Sequence, residues 1–186
     1  MKHRNFRDEA FHSISTAVGE LALAGNDLHL SLADLFWVVL GINNGLIPHA
    51  IWNSSNSDRA QRAMLQAVIE TRALRHDISD KAREEILFIL SKANSLEDRR
   101  NNALHSPFIK SDKDAVMPFS GLGNKRAQKL LGKDLLKEFQ SFYDTATVLR
   151  DYVEDIAEAM RRNNAPWPER PQLPNRGDTN DKKQRL

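Results

Sequence analysis

The sequence contains no cysteine among its 186 residues. This absence excludes a disulfide scaffold, a thiol nucleophile, an iron–sulfur cluster and any zinc site built on cysteine. Aromatic residues make up only 7% of the chain, and four of its 7 prolines lie in the last 21 residues. Catalytic chemistry would therefore have to come from other side chains, such as the 6 histidines and the arginines.

A targeting segment and a membrane span are also missing from the sequence pattern. The N-terminus lacks the apolar stretch and the small-residue cleavage site of a secretory signal peptide. The most apolar stretch, residues 28–42, contains His29 and Asp34 and is too short to cross a bilayer. These features predict a cytoplasmic protein with no membrane partner.

Positive charge is concentrated in one internal segment, although the net charge of the chain is only +2. Residues 92–133 carry a net charge of +5, between residues 1–91 at −2 and residues 134–164 at −3. A local positive patch attracts phosphate groups. A solvated loop rich in lysine is the alternative interpretation of the same charges.

Apolar residues in the first quarter of the chain follow a seven-residue repeat, with spacings that alternate between three and four. This spacing is typical of a helix that packs one face against other helices. It predicts one continuous helix over residues 9–40, with a close helix crossing at Gly25; two helices broken at 25–27 are the alternative. The repeat consists of Phe11, Ile14, Val18, Leu21, Gly25, Leu28, Leu32, Leu35 and Val39.

The remaining periodicity predicts an all-α fold, a four-helix bundle, with a loop after the first helix and an irregular segment at 107–132. The bundle is predicted to be one domain over residues 1–164, followed by a disordered, proline-rich, charged tail at 165–186. Asn56 or Ser57 is the predicted cap of the second helix. Its predicted inner face contains Ala60, Met64, Ala67, Val68 and Thr71. The four predicted helices span residues 9–40, 57–75, 79–105 and 134–163.

A short polar segment of sequence RNNALH, from Arg100 through Asn101 to His105, lies where the third predicted helix ends. An arginine is always charged, and its planar fork fits phosphate oxygens. A histidine can donate or accept a proton near neutral pH, and an asparagine can orient either group. These residue types suit metal-free cleavage of an RNA phosphodiester, with the ribose 2′-hydroxyl as the nucleophile.

The RNNALH segment resembles the motif of HEPN-domain proteins, in which an arginine and a polar residue are followed a few positions later by a histidine. The resemblance implies a metal-independent endoribonuclease of the toxin–antitoxin or phage-defence type, without a cofactor. It implies that Arg100, Asn101 and His105 are catalytic, and that two protomers form one composite site in a homodimer. RNA and an antitoxin protein are the further partners that it implies.

Two other features bear on this hypothesis. The cations Lys125, Arg126 and Lys129 are candidates for binding an RNA backbone, with a solvated short helix as the alternative. A second match to the motif runs from Arg7 to His12, but it lies in the first turn of the first helix and outside the basic segment.

The alternative function is a non-catalytic dimerisation or protein-interaction module, in which the arginine and the histidine form a structural network.

Overall fold

The computed structural model of the chain describes residues 9–71, 78–111, 115–162 and 166–174. Within these ranges the fold is all-α, as predicted, with one short β-hairpin and one 3₁₀ turn at Gly121–Gly123. The elements in chain order are α1 (Glu9–Leu40), α2 (Leu46–Asn53), α3 (Asp58–Glu70), α4 (Asp80–Leu104), β1 (Phe108–Lys110), β2 (Val116–Pro118), α5 (Lys125–Gln128) and α6 (Leu135–Arg161).

The chain divides into two compact units. The first contains residues 9–25 and 97–145, and the second contains residues 26–96 and 146–173. The candidate motif RNNALH and the α5 cations therefore belong to the first unit. The predicted single domain over 1–164 stays a prediction.

The first helix is continuous, as predicted, and α1 runs without a break from Glu9 to Leu40. Gly41 ends it with a φ of 61°, a conformation that favours glycine after a helix. By length and composition alone, α1 is the one described helix that could cross a membrane, but core helices of soluble proteins share both properties. The buried members of its seven-residue repeat are Ile14, Leu21, Leu28, Leu32, Leu35 and Val39.

The loop predicted after α1 contains a further helix, α2. Pro48 is the third residue of α2. A proline is tolerated in a first turn because the N–H that it lacks would have no acceptor within the helix. The loop prediction is therefore wrong over Leu46–Asn53. Trp52, near the end of α2, is buried in the core.

Side-chain caps fix the starts of α3, α4 and α6. Ser57, Ser79 and Asp134 each accept a hydrogen bond from the backbone N–H three residues later, at 3.4, 3.1 and 3.2 Å respectively. Such caps satisfy donors that a helix start would otherwise leave without partners. The caps place the starts of α3, α4 and α6 within one residue of the predicted positions.

The inner face of α3 differs from the predicted one by about one position. Its buried residues include two polar ones, Gln61 and Arg62. The Gln61 amide donates to the carbonyls of Trp52 and Ser55 at 2.9 and 3.2 Å, and Arg62 Nε donates to Asn94 at 2.7 Å. Because these polar groups are paired, they can occupy core positions. The prediction based on apolar residues alone is wrong here.

The segment at 107–132 is more regular than predicted. Strands β1 and β2 pair antiparallel, with Phe108 opposite Pro118. The Phe108 ring packs edge-on against Phe139 of α6, with 6.3 Å between ring centroids. A short helix in this segment is confirmed as α5, whose start is capped by Asn124.

The prediction of disorder from residue 165 onwards is wrong for residues 166–174. Arg170 in this segment donates to Glu84 and Glu85 of α4 at 2.8 Å. Its guanidinium also lies 4.5 Å from the centroid of the Phe88 ring. Hydrogen bonds to charged groups and a cation–π contact offset the chain entropy that favours disorder. Residues 175–186 of the predicted tail lie outside the described residues.

Candidate functional site

Arg100 lies near the end of α4 and is half-buried. A Cβ atom placed on Gly25 would be 3.1 Å from Arg100 Cδ and 3.6 Å from Phe142 Cζ. The Arg100 stem therefore passes over Gly25, where any larger residue would press on it. The close helix crossing predicted at Gly25 stays a prediction; the structure places the side chain of the candidate arginine against this glycine.

His105 is the first residue after α4, and it is exposed. Its backbone N–H donates to the carbonyl of Asn101 at 3.2 Å, which closes the last turn of the helix. Ser106 is buried, and its hydroxyl donates to the Asn102 carbonyl at 2.5 Å. These contacts fix the chain on both sides of His105 while its imidazole remains open to solvent.

Arg99, which the sequence interpretation did not single out, joins the end of α4 to α6. Its guanidinium donates to the carboxylate and to the backbone carbonyl of Glu138, both at 3.0 Å. It also lies 5.8 Å from the centroid of the Phe142 ring. The side chain is 10% exposed, so Arg99 is a structural arginine beside the candidate catalytic one. The feature of the sequence that could have drawn attention to Arg99 is its position directly before Arg100.

Three cations of the candidate RNA-binding set are exposed. Lys125, Arg126 and Lys129 lie on or directly after α5, and no ion pair joins them to another described residue. Lys133, four residues further on, instead pairs with Glu138 at 3.3 Å. The set singled out from the sequence is therefore open to an anionic ligand.

The structure brings the candidate residues into one unit but gives Arg100 and His105 different surroundings. Arg100 turns toward α1 and α6, whereas the His105 side chain faces solvent. His12, of the second motif match, is exposed on α1, and its partner Arg7 lies outside the described residues. Among the residues with described positions, no group of three histidine or carboxylate side chains could hold a metal ion.

His29 is half-buried in the second unit. Its Nε2 lies 2.5 Å from Oε1 of Gln61, and its ring lies 5.2 Å from the ring of Trp52. Because the Gln61 amide group donates to two carbonyls, its Oε1 must accept, so Nε2 of His29 carries the proton. The buried Nδ1 then has no hydrogen-bond partner among the described residues.

A cluster of charges in the second unit centres on Glu85, which is 0% exposed. One carboxylate oxygen accepts from Lys81 at 2.6 Å and from Arg170 at 3.0 Å; the other accepts from Arg170 at 2.8 Å and from Tyr152 at 2.9 Å. The Arg170 guanidinium, helped by Lys81 and Tyr152, lowers the pKa of Glu85 to about 2, against the opposing effect of burial. Burial and the neighbouring carboxylate raise the pKa of Tyr152.

The chain was compared with family models, characterised proteins and solved structures. No match is found in any of the three comparisons. The resemblance to HEPN domains therefore stays a prediction that depends on the RNNALH segment and the helical pattern.

Proposed function

We propose that this protein is a HEPN-like, metal-independent endoribonuclease that acts in the cytoplasm as a homodimer. The observation that carries the proposal is the placement of His105, exposed at the end of α4, five residues after an arginine held in place over Gly25. The exposed cations Lys125, Arg126 and Lys129 in the same unit support an anionic substrate.

In the proposed reaction, the ribose 2′-oxygen attacks the adjacent phosphorus, and the bond from phosphorus to the 5′-oxygen breaks. The products are a 2′,3′-cyclic phosphate and a 5′-hydroxyl. Arg100 binds the phosphate oxygens, because a guanidinium matches their geometry and stays charged. His105 removes the proton from the 2′-hydroxyl or donates one to the leaving oxygen, and Asn101 orients one of the two groups.

A homodimer suits this chemistry because the reaction needs both a proton acceptor and a proton donor, and each protomer offers one His105. Two large apolar side chains of α6, Leu136 and Tyr143, are 46% and 40% exposed and lie seven residues apart. Residues seven apart share one face of a helix. This face of α6 supports self-association, and an antitoxin protein is the other partner proposed for the protein.

The direct test is cleavage of RNA by the purified protein in the presence of EDTA. We expect cleavage by the wild type and a loss of about 100-fold or more in His105→Ala, since general acid–base catalysis contributes at least that factor. His12→Ala is the matched control, because it removes another exposed histidine and should leave the rate unchanged. Intact RNA at high protein concentration would contradict the proposal.

The second candidate is a non-catalytic dimerisation or protein-interaction module. The contact of Arg100 with Gly25 favours it, since a half-buried arginine can serve structure alone. In that case Arg100→Ala lowers the melting temperature or weakens the dimer, and no variant cleaves RNA. Arg100→Lys separates the two functions: it keeps an aliphatic stem over Gly25 but loses the planar fork that fits phosphate.

A further inference from the structure

The hairpin that follows α4 brings an exposed aromatic residue close to His105. The backbone N–H of Phe119 donates to the carbonyl of Pro107 at 2.8 Å. This bond extends the ladder of β1 and β2 by one pair, since Phe108 is opposite Pro118. Phe119 thus lies across from a residue only two positions after His105.

Alternation along the strands separates the two faces of this hairpin. Phe108 and its partner Pro118 point inward, where Phe108 meets the ring of Phe139 and Pro118 is buried. Met117 and Phe119, one position to either side of Pro118, belong to the opposite face. They are 38% and 41% exposed. The outer face therefore presents an aromatic ring to solvent at the end nearest His105.

Gly121 fixes where that ring lies. A Cβ atom on Gly121 would overlap the outer end of the Phe119 ring, its Cζ and both Cε atoms. The ring thus rests against the backbone of Gly121 by its edge and remains 41% exposed. Four residues after Gly121 the chain enters α5, with the exposed cations Lys125 and Arg126. An aromatic ring therefore lies along the chain between the candidate histidine and the cations.

We propose that Phe119 is a stacking platform for one nucleobase of a single RNA strand, next to His105. This inference rests on the proposed function and adds a positioning residue to the same site. Proteins that bind single strands combine aromatic side chains, which stack on bases, with cations that follow the phosphates. Because every base has a π face, such stacking depends little on sequence, and a paired base inside a duplex cannot reach the ring.

The test measures binding without cleavage, by fluorescence anisotropy. The probe is a fluorescein-labelled 2′-O-methyl oligouridine of about 12 nucleotides, which lacks the nucleophile and fits a site of ordinary size. We expect Phe119→Ala to weaken binding by about tenfold, and Phe119→Trp to retain it. Leu23→Ala is the control, because Leu23 is another exposed apolar residue of the same unit, 64% exposed against 41% for Phe119, and its loss should not affect binding.

A second variant moves the ring without removing it. In Gly121→Ala the new methyl group displaces the Phe119 ring, so the variant should weaken binding too. It should have no further effect once Phe119 is alanine. A double-mutant cycle measures this coupling, and Phe119→Trp adds a local signal, since its indole fluorescence should change when a base stacks on it.

The outcomes separate this inference from the proposed function. If the wild type cleaves RNA and binds the oligouridine, but Phe119→Ala binds equally well, the stacking inference is overturned and the nuclease stands. If the wild type neither binds nor cleaves, both are overturned. If Phe119→Ala instead changes the sedimentation of the free protein and not its affinity for RNA, the ring contacts a second copy of the chain, which also overturns the inference.

Discussion

Two groups of charged side chains, one in each unit, differ in how their charges are satisfied. In the second unit, the fully buried carboxylate of Glu85 accepts four hydrogen bonds, which use both of its oxygens. In the first unit, Lys125, Arg126 and Lys129 are exposed, and none pairs with a described residue. The charge of Glu85 is thus fully paired within the protein, whereas the three cations are accessible to a ligand.

The difference separates stability from binding. A buried charge with every partner in place contributes to the folded state, and removing one partner leaves the others without compensation. An exposed cation contributes little to stability and is free to meet an anion. Substitutions of Glu85 or its partners should therefore change the free energy of unfolding. Substitutions of the three exposed cations should change only the affinity for a ligand.

The largest effect on stability is expected from Glu85→Gln. The variant keeps the shape but loses the charge that Arg170 and Lys81 bind, so we expect a loss of about 3 kcal/mol in the free energy of unfolding. Urea unfolding monitored by circular dichroism measures it. The released segment 166–174 should also become more sensitive to proteases.

Glu84→Gln is the matched control for this substitution. Glu84 is the neighbouring residue on α4, its side chain is 65% exposed, and Arg170 binds it at 2.8 Å. An exposed pair of this kind contributes less than about 1 kcal/mol. Equal losses in the two variants would show that burial of Glu85 does not decide the outcome.

The second prediction concerns acid. The folded pKa of Glu85 is about 2, below its ordinary value of 4.5, because Arg170 and its neighbours stabilise the carboxylate. A carboxylate with a lowered folded pKa contributes stability that is present above pH 4.5 and is lost as the pH falls toward 2. We expect the wild type to lose about 3 kcal/mol more than Glu85→Gln across that window. Parallel pH profiles of urea unfolding would refute this assignment.

The fold was predictable where apolar residues alone determine an element. The bounds of α1 agree with the prediction because its repeat is long and regular. The prediction is wrong at α2, where Pro48 indicated a loop. It is also wrong for the inner face of α3, where Gln61 and Arg62 are buried. Whether a polar side chain can be buried depends on partners far away in the sequence, such as Asn94 for Arg62, and hydrophobic periodicity does not contain that information.

The candidate site was predictable in its parts but not in their arrangement. The sequence predicted Arg100 near a helix end and a close helix crossing at Gly25, and the structure brings the Arg100 side chain against Gly25. It did not indicate that Arg99 anchors the same helix end to α6, since both arginines look alike in sequence. Nor did it place Phe119 beside His105, because that proximity depends on a hairpin of two three-residue strands.

A third prediction concerns the three exposed cations on α5 and directly after it. Replacing Lys125, Arg126 and Lys129 together by glutamine should change the free energy of unfolding by less than about 0.5 kcal/mol. The affinity for single-stranded RNA should fall, and the slope of its logarithm against that of salt concentration should decrease by about 2, since each phosphate contact contributes about 0.7. Anisotropy titrations at several salt concentrations measure both quantities.

A control with the same change in net charge separates local contacts from overall attraction. Lys92, Lys137 and Arg162 are exposed but dispersed over α4, α6 and the residue that follows α6. Replacing these three by glutamine should leave most of the salt dependence in place. Equal slopes in the two triple variants would mean that RNA senses the charge of the whole protein and not α5.

The smallest expected effect comes from two glycines of α1. Alanine stabilises a helix by about 1 kcal/mol relative to glycine, and a Cβ on Gly19 would meet nothing within 4 Å. Gly19→Ala should therefore raise stability and leave RNA cleavage unchanged. At Gly25 the added methyl group would press on Arg100 Cδ, 3.1 Å away.

Gly25→Ala should accordingly gain less stability than Gly19→Ala, because the Arg100 side chain must shift by a few tenths of an ångström. If Arg100 positions the scissile phosphate, that shift also slows cleavage several-fold, since the reaction depends on sub-ångström alignment. Urea unfolding and initial rates of RNA cleavage, measured on both variants, separate the two contributions. Equal stability gains with unchanged rates would show that the contact between Gly25 and Arg100 matters neither to the fold nor to the site.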